Sequence, residues 1–377
     1  MDNGRKHIVF LARWYPHRYD PMLGLFVQRH AKAAAQYDDI SVIYVHADDQ
    51  IQQKFDIVDE TVNNVRTIRV YYRKSWSKII SLFRFFKANN KALKLLPKPD
   101  IIHVHILTRL GLVALRQKRL HGTPYIITEH WSRYLPGNDF NGLLRKKLTK
   151  TVVKHASAVT TVTDILAKAM QSHGLRNENY SIVPNVVDIN AFKPQPHHNE
   201  VPKIIHVSCF ENKSKNITGL IDALQILEER DIKFQFTFIG DGIDFAMIKD
   251  YVKKLQHQEN IRFTGILEGQ DYVGELSSGD FLVLSSNYET QGVVLLEAFA
   301  CGMPVVSTNV GGIPEIVNES NGILVPPHDP TKLADAMQTM LQTYQNYDAN
   351  TLRDSVIKKF SNETVGKLLN SLYKTTF

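Results

Sequence analysis

The densest chemistry in this chain lies in residues 285–315, SSNYETQGVVLLEAFACGMPVVSTNVGGIPE. Glu289 and Glu297 stand eight positions apart, with Gln291 and Gly292 between them where a helix is expected to start. The run Val293–Ala300 is apolar except for Glu297, which predicts a largely buried helix. A carboxylate inside such a helix is costly unless something hydrogen-bonds it. A helix start offers unsatisfied N–H groups and the positive end of the helix dipole, a setting suited to phosphate. The pattern suggests a loop that holds a diphosphate on the amides near Gly292, Val293 and Val294. Glu297, about one turn on, is placed to accept hydrogen bonds from ribose hydroxyls. The plainer alternative is a buried Glu satisfied by nearby backbone and a loop Glu facing water.

These residues need a scaffold, and the chain is long enough for two domains at 377 residues. A hydrophobic share of 43% and a charged share of 22% exclude a disordered or fibrous chain. No apolar run approaches the roughly 20 residues of a membrane span. The charged opening, Met1 to Lys6, is followed by no long apolar stretch, so no secretory leader is expected. Cys209 and Cys301 make neither a disulfide framework nor a metal cluster, and a cytoplasmic setting fits. Charge is uneven. Residues 1–196 hold 30 Lys+Arg against 15 Asp+Glu, a net of +15, which leaves −8 of the total +7 for the rest. The first half therefore faces something anionic: nucleic acid, a lipid surface or a phosphorylated ligand.

Apolar runs predict strands at 8–11, 41–45, 66–71, 100–105, 125–130 and 157–162. Helices are expected at 26–37 and 77–96. Prolines 194, 196 and 202 mark a linker at 191–202. Alternation then resumes, with strands at 204–208, 235–239, 261–264, 281–285, 304–307 and 322–325. Helices are expected at 217–230, 243–256, 272–277, 293–300, 313–318 and 332–344, and a last helix after 360. This predicts an α/β protein of two doubly wound, Rossmann-like domains facing a cleft, residues 1–190 and 203–360, with a C-terminal helix at 361–377 packing back on the first.

The stretch around Glu289 and Glu297 resembles the signature of retaining glycosyltransferases of the GT-B fold, family-four type, the large group that includes sucrose synthases and bacterial mannosyl- and glucosyltransferases. The matching residues are Glu289, Glu297-Ala298, Ala300-Cys301-Gly302, Pro304-Val305-Val306, and Gly311-Gly312 with Glu315. Lys215-Asn216, Ile239-Gly240-Asp241-Gly242, Phe263-Thr264-Gly265, Pro184-Asn185-Val186-Val187-Asp188 and the Gly24 loop follow in the family's order. The resemblance implies transfer of a sugar, with retention, from a UDP- or GDP-sugar to a glycan or lipid-linked glycan in cell-surface polysaccharide or lipopolysaccharide synthesis. It places Lys215 on the donor diphosphate and Glu289 beside the transferred sugar, steadying the oxocarbenium-like transition state. It places His130, at a strand end, against the donor sugar, and Ile266 and Leu267 on the nucleobase. Gly24, Ser208 and Gly240 are expected to line the donor, since glycine lets backbone approach it closely. His105, on a face shared with His103, is a weaker candidate. The family's Arg after the first strand of the second domain is absent, because this chain reads Val207-Ser208-Cys209-Phe210. Lys213 is a possible substitute. There is no Asp-x-Asp pair at a strand end, so no metal and no other cofactor is expected.

Residues 61–99 contain no acid but ten Lys or Arg between Arg66 and Lys98, interleaved with aromatics such as Tyr71, Trp76 and Phe83. On a helix, Ile79, Phe83, Phe86 and Leu93 are expected near one face and Lys87, Lys91, Lys94 and Lys98 near another. A basic amphipathic helix reads as an anionic-membrane contact, which suggests a peripheral enzyme on the inner face of the cell membrane. An ordinary solvated helix face is the alternative. Nucleic acid is disfavoured because no recognised binding module is present. Two other readings stand beside the main one: a soluble sugar transferase acting on a small acceptor, and a catalytically silent nucleotide-sugar-binding protein.

Overall fold

A computed structural model describes residues 4–138 and 140–376. The chain forms two compact units, Met1–Val186 with Asn362–Phe377, and Val187–Ser361. The first unit runs β1 (His7–Ala12), α1 (Leu25–Ala34), β2 (Asp39–Asp48), β3 (Phe55–Val62), β4 (Val65–Arg73), α2 (Lys78–Leu93), β5 (Ile101–His105), α3 (Arg109–His121), β6 (Tyr125–Glu129), α4 (Leu143–His155), β7 (Ala158–Thr161), α5 (Asp164–Ser172) and β8 (Tyr180–Ile182). The second runs β9 (Lys203–Val207), α6 (Asn212–Lys215), α7 (Ile217–Glu229), β10 (Gln235–Ile239), α8 (Phe245–Val252), β11 (Ile261–Phe263), α9 (Gly269–Ser277), β12 (Phe281–Leu284), α10 (Val293–Ala300), β13 (Val305–Thr308), β14 (Gly322–Val325), α11 (Pro330–Thr343) and α12 (Ala349–Phe360). The last helix, α13 (Asn362–Lys374), belongs to the first unit.

The sheets explain the apolar runs. Strand order is β3-β4-β2-β1-β5-β6-β7-β8 in the first unit and β11-β10-β9-β12-β13-β14 in the second. Every pairing is parallel except β3 with β4. Parallel strands are covered on both faces, which is why Ile8 to Leu11 and Phe281 to Leu284 are apolar without alternation and fully buried. In the first unit α2, α3, α4 and α5 pack on one face, and α1 and α13 on the other. In the second, α7, α8 and α11 cover one face and α9, α10 and α12 the other. Strand order reverses between β1 and β5 and between β9 and β12, and loops splay apart at such switch points.

Several elements differ from the sequence reading. The unit boundary falls at Val186, not 190, because Val187 and Phe192 sit in the second core and Arg353 bonds the carbonyls of Ile189 and Phe192 at 2.7 and 2.6 Å. The expected linker is likewise part of the second unit: His197 and Asn199 both reach Asp280. The helix expected at 243–256 is the shorter α8, and the one at 313–318 is a single 3₁₀ turn, Ile313–Glu315. Helix α12 had no clear sequence signal. Strand β3 is half acidic at its outward positions, so its pattern is weak. It pairs with β4 through Asn63 and Asn64, both at positive φ (51° and 62°), as a tight hairpin turn needs.

The hairpin changes the reading of the basic segment. Asp59 pairs with Arg66 at 2.8 Å, and Glu60 pairs with Arg69, so two of the ten cations are neutralised by β3. The faces of α2 also differ from expectation. Phe85, Ala88, Asn89 and Ala92 are its buried residues, while Ile79 and Phe83 are exposed. The small residues Ala88 and Ala92 let the helix lie close on β2 and β4, which a count of large apolar residues overlooks. Among the described residues no helix is long and apolar enough to cross a membrane.

Helix α13 is held by a close crossing with α1. A Cβ on Gly366 would lie 2.5 Å from the Ala33 carbonyl oxygen. Gly366→Val is expected to lower unfolding stability by about 1–3 kcal/mol, measured by denaturant titration, because the helices must separate. An unchanged midpoint would mean that α13 is only loosely attached.

Candidate active site

In the second unit, the loops after β9 and β12 bring together residues 74 positions apart in sequence. Lys215 closes α6, and its Nζ pairs with Glu289 Oε1 in a short contact. Ser286 Oγ donates to the same carboxylate at 3.0 Å. Ser285 Oγ donates to the Lys215 carbonyl at 2.8 Å, and the Asn287 amide donates to the Ser214 carbonyl at 2.8 Å. The two loops are therefore stitched together beneath the pair. Burial alone would depress the Lys215 pKa, but Glu289 more than offsets it, and the net shift is upward. The ammonium stays charged.

Glycines fix the backbone around this pair. Gly311, at φ +52°, lies so close to Glu289 that a Cβ would be 1.7 Å from its carbonyl oxygen. Gly292 caps α10 at φ +75° with no side-chain cap bond, and the first amides of that helix, at Val293 and Val294, have no acceptor within the helix. Gly240, at φ +121°, would drive a Cβ to 2.0 Å from the Ser208 carbonyl oxygen. The Ser208 hydroxyl bonds His206 Nε2 at 2.9 Å. His206 Nδ1 lies 2.9 Å from the Val283 carbonyl, so this nitrogen carries the proton and Ser208 is the donor to Nε2. Burial holds the His206 pKa at about 4.

Glu297 is buried, as its position predicts, and accepts from the Tyr272 hydroxyl at 2.6 Å. Gln291 is buried as well. Leu267 packs on the second core, whereas Ile266 is exposed after β11. Cys209, where the resemblance leads one to expect a cation, is an exposed free thiol. Lys213, on α6 with Lys215, is exposed. Ser285, Ser286 and Tyr272 were not singled out from sequence. The available signal for the serines was two small polar residues directly after a buried strand.

His130 and Gly24 lie in the first unit. His130 Nδ1 bonds Asn185 Oδ1 at 3.0 Å, and its Nε2 lies 3.1 Å from His105 Nδ1. Both ring nitrogens are thus engaged by side chains of its own unit. His30 joins them, bonded to the Pro184 carbonyl at 2.9 Å, and His103 bridges Thr128 and the Tyr373 hydroxyl of α13. His105, the weaker candidate, is fully buried. Glu129 accepts from the amides of Leu107, His130 and Trp131 at 2.9–3.0 Å and so shapes the turn that carries His130. Gly24 is required by the loop itself: at φ +69° its Cβ would lie 2.3 Å from the Trp14 carbonyl. Burial drives the pKa values of His103, His105 and His130 well below the ordinary range and that of His30 to about 4.

Two doubly wound sheets, parallel but for the β3 edge of the first, and the second with a cation, a carboxylate and a helix start at its switch point, define a GT-B glycosyltransferase. The chain belongs to the group 1 glycosyltransferases. The family model "Glycosyl transferases group 1" matches residues 188–356, and "Glycosyltransferase Family 4" matches residues 12–191. The chain is 30% identical to an N-acetyl-α-D-glucosaminyl L-malate synthase of Bacillus anthracis over 73% of this chain and 74% of that protein. Its fold is similar to that of Anabaena HepE, solved with UDP and glucose, at TM-score 0.76 and 18% identity over 98% of this chain and all of that one. It is also similar to that of the lipopolysaccharide outer core galactosyltransferase WaaB in its apo form, at TM-score 0.72 and 16% identity over 98% and 99% of the two chains.

Two outcomes follow from the roles that the resemblance implies for these residues. Glu297→Ala is expected to weaken nucleoside diphosphate binding roughly tenfold to hundredfold, the value of a charged hydrogen bond of ~1.5–3 kcal/mol. Glu289→Ala is expected to abolish most turnover yet leave that affinity unchanged or improved, because Lys215 is released. Calorimetry on both variants checks this, and parental binding by the Glu297 variant contradicts it.

The histidines predict a pH dependence. A His whose folded pKa lies below its unfolded value of ~6.5 gives stability that is present above pH ~6.5 and lost as pH falls toward the folded value. His30, at about 4, contributes about 3 kcal/mol across that window. Chemical denaturation is expected to show a plateau near neutral pH and a steep loss between pH ~6.5 and 4. His30→Gln is expected to flatten that loss, and an equally steep profile in the variant would contradict the assignment.

Proposed function

We propose that the enzyme transfers a sugar, with retention of anomeric configuration, from a UDP- or GDP-sugar to a glycan or lipid-linked glycan in cell-surface polysaccharide or lipopolysaccharide synthesis. The observation that carries this reading is the meeting of Lys215 and Glu289 beside the open start of α10. In the reaction, Lys215 turns from Glu289 to the leaving diphosphate, together with the amides of Val293 and Val294. Developing negative charge there is met by fixed dipoles and a point cation. Glu289, released, lies beside the positive charge that grows at the anomeric carbon. Glu297 holds the ribose, Ile266 and Leu267 contact the base, and His130, aligned by Asn185 and Glu129, borders the sugar. The departing phosphate oxygen takes the acceptor proton, so the protein supplies no separate base. UDP bound to the HepE fold and the WaaB name support this choice of donor and pathway.

The same reading needs no metal, because the diphosphate charge is met by Lys215 and helix amides. It sets the enzyme on the inner face of the cell membrane through the cations of segment 66–98 that β3 leaves unpaired, and assigns no role to nucleic acid. A small soluble acceptor is the second reading, favoured by the name of the L-malate synthase relative. Catalytic silence is a third, raised by the thiol at Cys209.

Incubation with a panel of UDP- and GDP-sugars, with NMR detection of released or transferred sugar, tests the reading. Slow release of free sugar of unchanged anomeric configuration from one donor is expected, at a rate unaffected by excess EDTA. Product of inverted configuration would contradict retention. Loss of activity on chelation, restored by magnesium, would contradict the metal-free diphosphate site. Binding without any turnover would favour the silent reading.

A further inference from the structure

Two helices of the first unit begin in the same unusual way. Trp76, just before the Ser77 cap of α2, and Ile79 and Phe83 in its first two turns are 97%, 81% and 65% exposed, and the first buried side chain of the helix is Phe85. Helix α4 starts with Leu143 and Leu144 at 90% and 70% exposure, and Leu148 is exposed one turn later. The buried residues of α4 are Val152 and Val153, in its last turn. Its first two turns therefore rest on no core. Large apolar side chains on the outer face of a helix are ordinary one at a time, but a cluster at each of two helix starts marks an interaction surface.

Topology places the two starts at the same edge of the sheet, with β2, β1 and β5 between β4 and β6. Both helices pack on the same face of the eight-stranded sheet. Helix α2 follows the C-terminal end of β4, and α4 runs back from beyond the C-terminal end of β6 to the start of β7. Since β4, β6 and β7 are parallel members of one sheet, both exposed starts lie at its C-terminal edge. Their charge is of one sign. Residues 61–99 hold no acid, and neither do residues 140–163, which carry Arg145, Lys146, Lys147, Lys150 and Lys154. The cations adjoining the α2 start, Lys74 and Lys78, have no acidic partner among the described residues.

We infer that the starts of α2 and α4 form a two-point anchor that inserts its apolar residues into an anionic lipid surface. This rests on the membrane-facing reading of the first unit and extends it to α4, whose sequence had not been singled out. Apolar side chains at a helix end enter the boundary between head groups and acyl chains by ~5–10 Å, and flanking Lys and Arg remain with the anionic head groups. A purely electrostatic contact weakens steeply with salt, whereas an inserted apolar residue keeps part of its affinity. A sheet edge with two such feet fixes the orientation of the unit on the bilayer, which a single basic helix does not.

The test uses the full chain with phosphatidylcholine vesicles, with and without phosphatidylglycerol. Parent protein is expected to co-sediment with the anionic vesicles at low salt, with a residual fraction retained at high salt. Leu143→Ser with Leu144→Ser, and separately Trp76→Ser with Phe83→Ser, are each expected to weaken vesicle binding by about tenfold. The four together are expected to abolish it. All these side chains are exposed, so folding and nucleoside diphosphate affinity are expected to remain parental. Of the three tryptophans, Trp76 should give a blue shift in emission on anionic vesicles that Trp76→Phe removes. Parental sedimentation of the Leu143/Leu144 variant would overturn the two-point anchor. Equal binding to neutral vesicles would overturn the anionic partner. Self-association lost in the same variants, without vesicle binding, would give the surface to a second copy. Failure of sugar release with vesicle binding intact would defeat the transfer reading alone, and the reverse result would defeat this one alone.

Discussion

A lysine and a glutamate held against each other at the end of a parallel sheet govern the second unit. Lys215 and Glu289 are partly desolvated, and either one left alone would be an uncompensated charge. Their meeting requires β9 and β12 to be neighbours, as the strand order makes them, and requires the following loops to part toward opposite faces of the sheet. Helices α6 and α7 go one way and α10 the other. Ser285 ties the β12 loop to the β9 loop, Gly311 lets the loop after β13 pass against Glu289, and Gly240 lets the loop after β10 pass against Ser208. The motif around the two glutamates thus records how tightly backbone must pass backbone where these loops meet.

The first unit uses a different constraint. Four histidines are kept neutral by burial, linked through Asn185, Thr128 and Tyr373. They give the strand ends of β5 and β6 a polar interior without a net charge. Tyr373 lies on α13, so the last helix of the chain is part of that interior. This gives the chain a reason to return to the first unit after Ser361.

Much of this was legible in the sequence because parallel strands buried on both faces leave a strong apolar signature. The strands β10 and β14 and the helix α10 have the residue bounds that their patterns suggest. Glu297 was legible too, since one carboxylate in an apolar helix asks for a partner, and Tyr272 supplies one. What escaped was set by tertiary context. The acid-rich edge strand β3 carries little apolar pattern, and without it Arg66 and Arg69 look free. Helix α2 turns its small residues inward, so its largest apolar side chains point away from the core. The Lys215–Glu289 contact joins positions 74 apart, which no local pattern can reveal. His130 drew attention as a strand-end histidine, but its ties to Asn185 and His105 arise only when three segments converge.

In the proposed reaction Lys215 passes from Glu289 to a diphosphate. A double-mutant cycle on nucleoside diphosphate affinity, with Lys215→Ala, Glu289→Ala and the pair, measures this directly. The account predicts that Lys215→Ala weakens binding and that Glu289→Ala holds or improves it. It also predicts that Glu289→Ala has no effect once Lys215 is gone, so the double variant binds like the lysine variant. A lysine variant with parental affinity, or an effect of Glu289→Ala that persists once Lys215 is gone, would contradict it.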